Sequence, residues 1–174
     1  MFIQIATIFG YEVTLPTRGS EEAAGIDIYV PMYNEVIEKD FLEMNTHPRA
    51  AQILTGSHVP PYIRVSAHNR VLIPTGLRMK VEPGTYLEVA NRGSVAAKQG
   101  LVFGAHIVDS DYRGNVFINL INTGTGPQTV NFGQKIAQII HKQCLMSDVE
   151  LVSDTEFNRT QTSRGSGALG STGR

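Results

Sequence analysis

The sequence lacks the features that cross-link a chain, carry it across a membrane or attract nucleic acid. Its single cysteine, Cys144, excludes an internal disulfide and favours a reducing compartment. The net charge of −1, with both signs mixed, provides no clustered basic face for duplex nucleic acid. No apolar run approaches the length of a membrane span, and the apolar start lacks the basic residues and cleavage site of a signal peptide. We therefore expect a cytoplasmic protein, or one in the cytosol of an infected host cell if its source is viral, without nucleic-acid or membrane partners.

Common motifs of metal, dinucleotide and nucleophilic chemistry are missing too. The five histidines show no metal-ligand spacing with each other or with Cys144. Residues 165–170 match the pattern G-x-G-x-x-G, but neither a helix nor a later strand is expected after them, so the dinucleotide interpretation fails. The nucleophile elbow G-x-S-x-G does not occur.

The residues that are present predict an all-β protein. Apolar and polar residues alternate in 2–8, 77–81, 86–90 and 116–122. Turn signals rich in glycine and proline separate these runs. Short strands at this spacing favour a sandwich or jelly roll over repeated βαβ units.

Two short segments have helical character. Residues 94–99 contain two alanines and are followed by Gly100, which predicts about one and a half helical turns. Residues 40–45 are a weaker candidate within a proline-containing segment, 38–61, which we interpret as an excursion inserted into a β domain of residues 1–156. Residues 157–174 are mostly Ser, Thr, Gly and Arg, and they predict a flexible C-terminal tail.

Five short blocks follow one another in a set order. They read AAGIDIY at 23–29, NRGSVAAK at 91–98, IVDSDYRG at 107–114, GQKIAQII at 133–140 and RGSGALGSTG at 164–173. In type and order, these blocks resemble the five motifs of the trimeric dUTPase family. The resemblance covers nearly the whole chain apart from 38–61. It implies a dUTPase-like β-clip, or distorted jelly roll, that acts on dUTP as a homotrimer with shared active sites.

The residues of the second and fourth blocks suit a triphosphate even without the resemblance. Arg92 followed by Gly93 and Ser94 at a helix start combines a cation with free backbone N–H groups. The alternative is an ordinary serine cap beside a surface arginine. Gln138 lies within an apolar run, so its amide needs a partner, either a backbone group or a phosphate oxygen.

The resemblance implies that Asp109 is the catalytic general base. It would activate a water for attack on the α-phosphorus of dUTP, while Mg²⁺ is held mostly by the phosphates and water. Asp27 has two open roles, a water-mediated link to that metal or an internal ion pair. Asp111 is assigned to a structural turn, with Arg92 or Arg113 as its ionic partner.

The same resemblance implies which residues contact the deoxyribose and the base, and which residues of the tail contact the substrate. Tyr112 would lie under the deoxyribose and exclude a 2′-hydroxyl. Backbone groups around Gly104, Ala105 and His106 would read uracil, because unpaired buried polar groups penalise the wrong base. The substrate contacts expected in the tail are Arg164, Leu169, Gly170, Ser171 and Thr172.

Three positions depart from the family pattern. The second block reads Arg-Gly-Ser where Arg-Ser-Gly is usual, and His106 replaces a small residue. Leu169 stands where the family carries an aromatic residue, so it covers the base without offering an aromatic face.

Two alternative functions share the fold. A dCTP deaminase-like enzyme carries a glutamate on the strand after the third block, where this chain has Asn119. A non-catalytic, nucleotide-sensing regulatory protein would use the 38–61 segment as its partner surface. Asn119 disfavours the deaminase, because an amide cannot take the proton. Asp109, Tyr112 and Gln138 favour the enzyme over the regulatory protein.

Overall fold

Strands dominate the computed structural model, which describes residues 2–163 and 165–167. This part of the chain forms thirteen strands and three helices, so the all-β expectation is confirmed. The strands are β1 (Gln4–Thr7), β2 (Thr17–Arg18), β3 (Ile26–Tyr29), β4 (Ala51–Leu54), β5 (Tyr62–Val65), β6 (Arg70–Pro74), β7 (Leu77–Lys80), β8 (Thr85–Asn91), β9 (Leu101–Phe103), β10 (Ile107–Asp109), β11 (Phe117–Asn122), β12 (Gln128–Asn131) and β13 (Lys135–Gln143). The helices are α1 (Glu35–Met44), α2 (Gly93–Gln99) and α3 (Asp154–Phe157).

The chain divides into two compact units, Met1–Cys144 and Leu145–Arg174. All the described strands and the two longer helices lie in the first unit, and α3 lies in the second. The tail expected at 157–174 begins inside the second unit, and its flexibility stays a prediction.

A five-stranded antiparallel sheet carries four of the five sequence blocks. Its order is β10-β8-β13-β3-β2. The first block includes β3, the fourth includes β13, the third begins with β10, and β8 leads into the second. Because Ala137 of β13 pairs with Ile28 on one side and with Asn91 on the other, three blocks lie side by side.

Burial alternates along the strands with the two-residue period of a pleated sheet. On β11, Ile118 and Leu120 are buried in the core, whereas Asn119 between them projects from the opposite face. β11 pairs with β6 and β9, and these three strands form a separate sheet. The strand expected at 116–122 is therefore present as β11.

The 38–61 segment is part of the core rather than a detached excursion. It begins inside α1, whose cap Asn34 accepts hydrogen bonds from the backbone N–H groups of Val36 and Ile37 at 3.0 Å. Phe41, one turn beyond Ile37, is fully buried with it. Further along, β4 forms an edge strand on β5.

The helix expected at 40–45 is therefore longer and begins earlier than predicted. In the sequence, the asparagine cap and the four-residue spacing of Ile37 and Phe41 indicate this helix. The β-branched residues of its first turn lower the helix propensity and so weaken the prediction. α1 and α3 add to the short helix expected at 94–99.

A tyrosine anchors α1 to the rest of the first unit. The Tyr11 hydroxyl donates to Asp40 of α1, with 2.5 Å between the oxygens. Burial, reinforced by the Asp40 carboxylate, raises the pKa of Tyr11, so the phenol stays protonated as the donor.

Helix α2 follows the prediction for 94–99 with one extra residue at its start. It ends at Gly100, whose φ of 62° lies in the left-handed region that glycine adopts without strain. This helix places the second sequence block at the end of β8.

Candidate active site

A buried carboxylate joins the first, second and fourth blocks. Asp27 is 7% exposed, and its two oxygens lie 2.9 Å from Arg92 Nε and 3.0 Å from Lys135 Nζ. A buried charge requires such partners. Hydrogen bonding to Asp27 is also the main reason why the pKa of Lys135 is raised. Asp27 thus makes the internal ion pair, one of the two roles considered for it.

Both cations of this ion pair border a hollow at the start of α2. The Arg92 guanidinium also donates to the backbone oxygen of Lys135, at 3.1 Å. The hollow has a volume of about 350 Å³, and Ser94 and Lys98 line it with them. The backbone N–H groups of Gly93 and Ser94 have no acceptor among the described residues. The structure therefore brings Arg92, Gly93 and Ser94 to one cationic recess.

Gln138 is held by the backbone, one of the two partners expected for it. Its Nε2 donates to the Asn91 oxygen at 2.8 Å. Its Oε1 sits against Gly25, where a Cβ atom would overlap it. The first block therefore needs glycine at position 25 so that the Gln138 amide can lie across β3. The sequence analysis assigned no site role to Gly25 or Lys135, although the first block contains Gly25 and the fourth block contains Lys135.

Asp109 and Tyr112 border a second, smaller hollow. Its volume is about 190 Å³, and Val108, Asn115 and Phe117 also line it. Asp109 is exposed at the end of β10. The Tyr112 hydroxyl donates to the Asn115 oxygen at 2.8 Å, and the ring is 41% exposed. The structure thus places the expected base and the expected sugar-contacting ring at one opening.

The turn after Asp109 is held by backbone bonds and a glycine. The Tyr112 N–H donates to the Asp109 oxygen at 3.2 Å. A Cβ atom on Gly114 would overlap the Tyr112 hydroxyl. Arg113 donates to the oxygens of Ser110 and Tyr112, at 2.7 and 2.9 Å. This turn fixes the Tyr112 ring over the hollow.

The ionic partners expected for Asp111 are wrong. Arg92 is paired with Asp27, and Arg113 binds backbone oxygens. Within the part of the chain that the structure describes, Asp111 forms no ion pair. Asp111 does lie in the turn, between Ser110 and Tyr112. This position is the only part of its expected structural role that the described residues show.

The loop expected to read the base leaves its exposed backbone partly unpaired. The Gly104 N–H donates to the Asn119 oxygen at 3.0 Å, and the His106 oxygen accepts from Val89 at 2.7 Å. The His106 ring turns back to the Val89 oxygen, with Nδ1 at 3.0 Å, and lies edge-on to Phe103. Ala105 is exposed between them. His106 therefore contributes backbone to the loop while its ring packs against β8 and β9.

The two hollows lie at opposite ends of β8. Asp109 pairs with Tyr86 near the start of β8, whereas Arg92 follows its last residue. Arg92 lies six positions after Tyr86 along the extended strand, so Asp109 and the Arg92 recess of one chain are about 20 Å apart. A single chain therefore does not bring Asp109 and Arg92 together.

The remaining expected contacts lie outside the described residues. These are Arg164, Leu169, Gly170, Ser171 and Thr172. Across residues 2–163 and 165–167, no group of three or more His, Cys, Asp or Glu side chains is arranged to hold a metal ion. In that same part of the chain, none of the helices has the length and apolar character to cross a membrane.

Comparison with known proteins identifies the family. A family model described as dUTPase matches residues 57–173. The deoxyuridine 5'-triphosphate nucleotidohydrolase of Yarrowia lipolytica is 34% identical over 158 residues, which cover 91% of this chain and 81% of that protein. The chain belongs to the dUTPase family. As a dUTPase it is a dUTP diphosphatase, a hydrolase of nucleotide metabolism.

Solved structures confirm the jelly-roll-like fold. A dUTPase variant from Staphylococcus bacteriophage 80alpha has a TM-score of 0.73 at 17% identity, and the match covers 99% of both chains. A dUTPase variant from phage phi11 of S. aureus has a TM-score of 0.66 at 17% identity, over 90% of this chain and 100% of that chain. The dUTPase model begins at residue 57, so α1 and β4 precede the matched region.

Proposed function

We propose that this dUTPase hydrolyses dUTP to dUMP and pyrophosphate at sites shared between the protomers of a homotrimer. The observation that carries the proposal is the separation of Asp109 from Arg92 along β8. A base about 20 Å from the phosphate-binding recess cannot act on the same nucleotide within one chain. A second protomer, placing its Asp109 hollow opposite the first protomer's Arg92 recess, completes the site.

The cationic recess is suited to the triphosphate. Arg92 and Lys135 supply two positive charges, and Lys98 adds a third at the rim. Asp27 neutralises part of this charge, but its main effect is to hold the Arg92 guanidinium in one orientation. The free N–H groups of Gly93 and Ser94 supply further donors to phosphate oxygens.

The Asp109 hollow is suited to the deoxyuridine half. The fixed Tyr112 ring provides a flat surface for a deoxyribose and leaves no room for a 2′-hydroxyl. Exposed backbone groups of Gly104, Ala105 and His106 supply the donors and acceptors that distinguish uracil from cytosine. The 80alpha dUTPase variant was solved with the nucleotide analogue dUpNHpp, which supports a nucleotide in this fold.

In the chemical step, water attacks the α-phosphorus and Asp109 accepts its proton. A bond forms between the water oxygen and the α-phosphorus, and the bond from that phosphorus to the bridging oxygen breaks. Pyrophosphate leaves with the electron pair of that bond, and dUMP remains. A positioned base of this kind contributes about 10²- to 10⁴-fold in rate.

Magnesium belongs with the substrate in this proposal. Both Asp27 oxygens are engaged by cations, so the described residues do not fit a metal centre at Asp27. Magnesium bound to the triphosphate would neutralise its charge. The phi11 dUTPase variant is described as coordinating a structural Mg(II) ion, which supports a metal requirement in this fold.

The deaminase alternative lacks its acid–base residue. Asn119 on β11 carries an amide where that chemistry uses a carboxylate, and an amide does not take up the proton. The regulatory alternative does not explain why Asp109 lies beside Tyr112 in a hollow. The single cysteine and the lack of a membrane-spanning helix among the described residues support the cytoplasm, or the cytosol of an infected cell, as the location.

The substitution Asp109→Asn tests the assignment of the base. The amide keeps the size of the side chain but accepts no proton, so kcat for pyrophosphate release should fall at least about 100-fold. Binding of dUpNHpp, measured by calorimetry, should change less than threefold. The matched control Asp111→Asn, two residues away in the same turn, should keep most of the activity. Near-normal turnover by Asp109→Asn would refute the role of Asp109.

A further inference from the structure

A third cavity is distinct from the Arg92 recess and from the Asp109 hollow. Its volume is about 320 Å³, at the small end of the range for ligand pockets. The loop after α1 forms one wall, and β6 with the outer face of β11 forms the other. Neither the Arg92 recess nor the Asp109 hollow shares a lining residue with it.

A hydrogen-bonded clamp holds the two walls together. The Asn45 amide donates to the backbone oxygens of Phe41 and Leu72, both at 2.8 Å, and accepts from the Leu72 N–H at 2.9 Å. These bonds connect the end of α1 to the middle of β6. The cavity is therefore formed before any ligand arrives, which lowers the entropic cost of binding.

The cavity is cationic. Arg49 and Arg70 line it together with His47, and no acidic residue does. Neither arginine has an ion-pair partner among the described residues. Two guanidinium groups without carboxylates favour a doubly charged anion, and phosphate is the group whose geometry arginine matches best.

Asn119, which lines the cavity, has an acceptor without a donor. Asn119 Oδ1 is the one fully buried side-chain oxygen or nitrogen that lacks a hydrogen-bond partner within residues 2–163 and 165–167. Leaving such a group unpaired is costly. Once the amide turns towards the cavity, a ligand hydroxyl or N–H group satisfies it.

From this combination we infer that the cavity is a second ligand site for a small phosphate monoester that carries hydroxyl groups, the chemistry of a sugar phosphate. The phosphate binds Arg49 and Arg70, and a hydroxyl donates to Asn119 Oδ1. The volume of about 320 Å³ accommodates a pentose phosphate.

Asn119 connects this site to the loop that reads the base. Its Nδ2 lies 3.1 Å from the position that a Cβ atom would occupy on Gly104, and its backbone oxygen accepts from the Gly104 N–H at 3.0 Å. A ligand that reorients the Asn119 amide therefore acts directly on Gly104. This coupling rests on the proposed function, whereas binding in the cavity does not.

Amide NMR of the ¹⁵N-labelled full chain, titrated with 2-deoxyribose 5-phosphate, tests the site. The Asn119 side-chain amide and the Gly104 N–H should shift with one saturating curve. The double variant Arg49→Ala/Arg70→Ala should weaken binding at least about tenfold, since each charge-assisted contact is worth that much. Arg78→Ala, which removes an exposed arginine on β7, should leave it unchanged.

A second comparison isolates the acceptor. Asn119→Val removes Oδ1, so it should weaken the binding of 2-deoxyribose 5-phosphate. The binding of inorganic phosphate, measured from the shift of the Arg70 N–H, should stay unchanged. Equal affinity of the double arginine variant and the wild type would overturn the proposal, as would shifts confined to Ser94 and Tyr112. Pyrophosphate release from dUTP is measured on the same samples. Its loss in the wild type would contradict the proposed function, whereas intact hydrolysis without binding in the cavity would contradict this site alone.

Discussion

Asp27 is a buried residue that orients a side chain of the candidate site without taking part in the proposed reaction. The carboxylate lies under the Arg92 recess and binds two cations from two different blocks. Its burial makes the ion pair costly to break from one side, because the partner charges are then left without compensation. The orientation of Arg92 towards the proposed phosphate site therefore depends on a residue on β3.

Asp27→Asn separates the ion pair from a metal role. Loss of the charge frees Arg92 and Lys135, so KM for dUTP should rise by about tenfold, the effect of one charge-assisted contact. The Mg²⁺ concentration for half-maximal rate should stay the same. Steady-state kinetics over a magnesium series measures both.

Glu88→Gln is the matched control, because it removes the Glu88–Lys142 ion pair from the same sheet. It should leave KM near the wild-type value. A shift of the magnesium requirement in Asp27→Asn, with KM unchanged, would restore the metal-linked role.

At the scale of elements, strands β7 and β8 were predicted from the sequence more accurately than helix α1. The runs at 77–81 and 86–90 became β7 and β8 because period-two alternation matches a half-buried strand. α1 was partly missed because Ile37 and Phe41 become buried through the tertiary structure, and Phe41 packs in the hydrophobic core. Intrinsic propensity does not report such contacts.

Phe41→Ala tests whether α1 belongs to the core. Removing a fully buried aromatic side chain should lower the free energy of unfolding by about 3–5 kcal/mol. Urea denaturation measures this loss. The adjacent Leu42 is 61% exposed, and Leu42→Ala should cost about 0.5 kcal/mol or less. If both variants lose equally little, the 38–61 segment is the detachable excursion that its composition suggested.

The candidate residues were named from the sequence, but the contacts between them were not predicted. Asp109, Tyr112 and Arg92 stand in recognisable blocks, and their types match the chemistry required. The partner of Arg92 was not foreseen, because Asp27 is 65 positions away in sequence and the pairing follows from the β3-β13-β8 order. The orphaned Asn119 oxygen likewise has no sequence signal.

At the scale of the whole molecule, the distance along β8 is the basis of the proposed homotrimer. Each protomer carries one Arg92 recess and one Asp109 hollow at opposite ends of the same strand. In the proposed homotrimer, rotational symmetry lets the recess of one copy meet the hollow of the next, so every site is completed by a neighbouring protomer. The activity of a monomer should accordingly be negligible.

Mixed trimers of two inactive variants test this central claim most directly. Asp109→Asn lacks the base and Arg92→Gln lacks the phosphate cation, so each alone should release little pyrophosphate from dUTP. Equal amounts are unfolded together, refolded and isolated as trimers, with each variant refolded alone as the control. If every site takes Asp109 from one protomer and Arg92 from another, about one quarter of the sites in randomly mixed trimers contain both native residues. Activity should then return to about one quarter of the wild-type value, since the sites act independently. Mixed trimers that stay as inactive as the separate variants would show that base and phosphate cation come from the same chain, and would contradict the shared site.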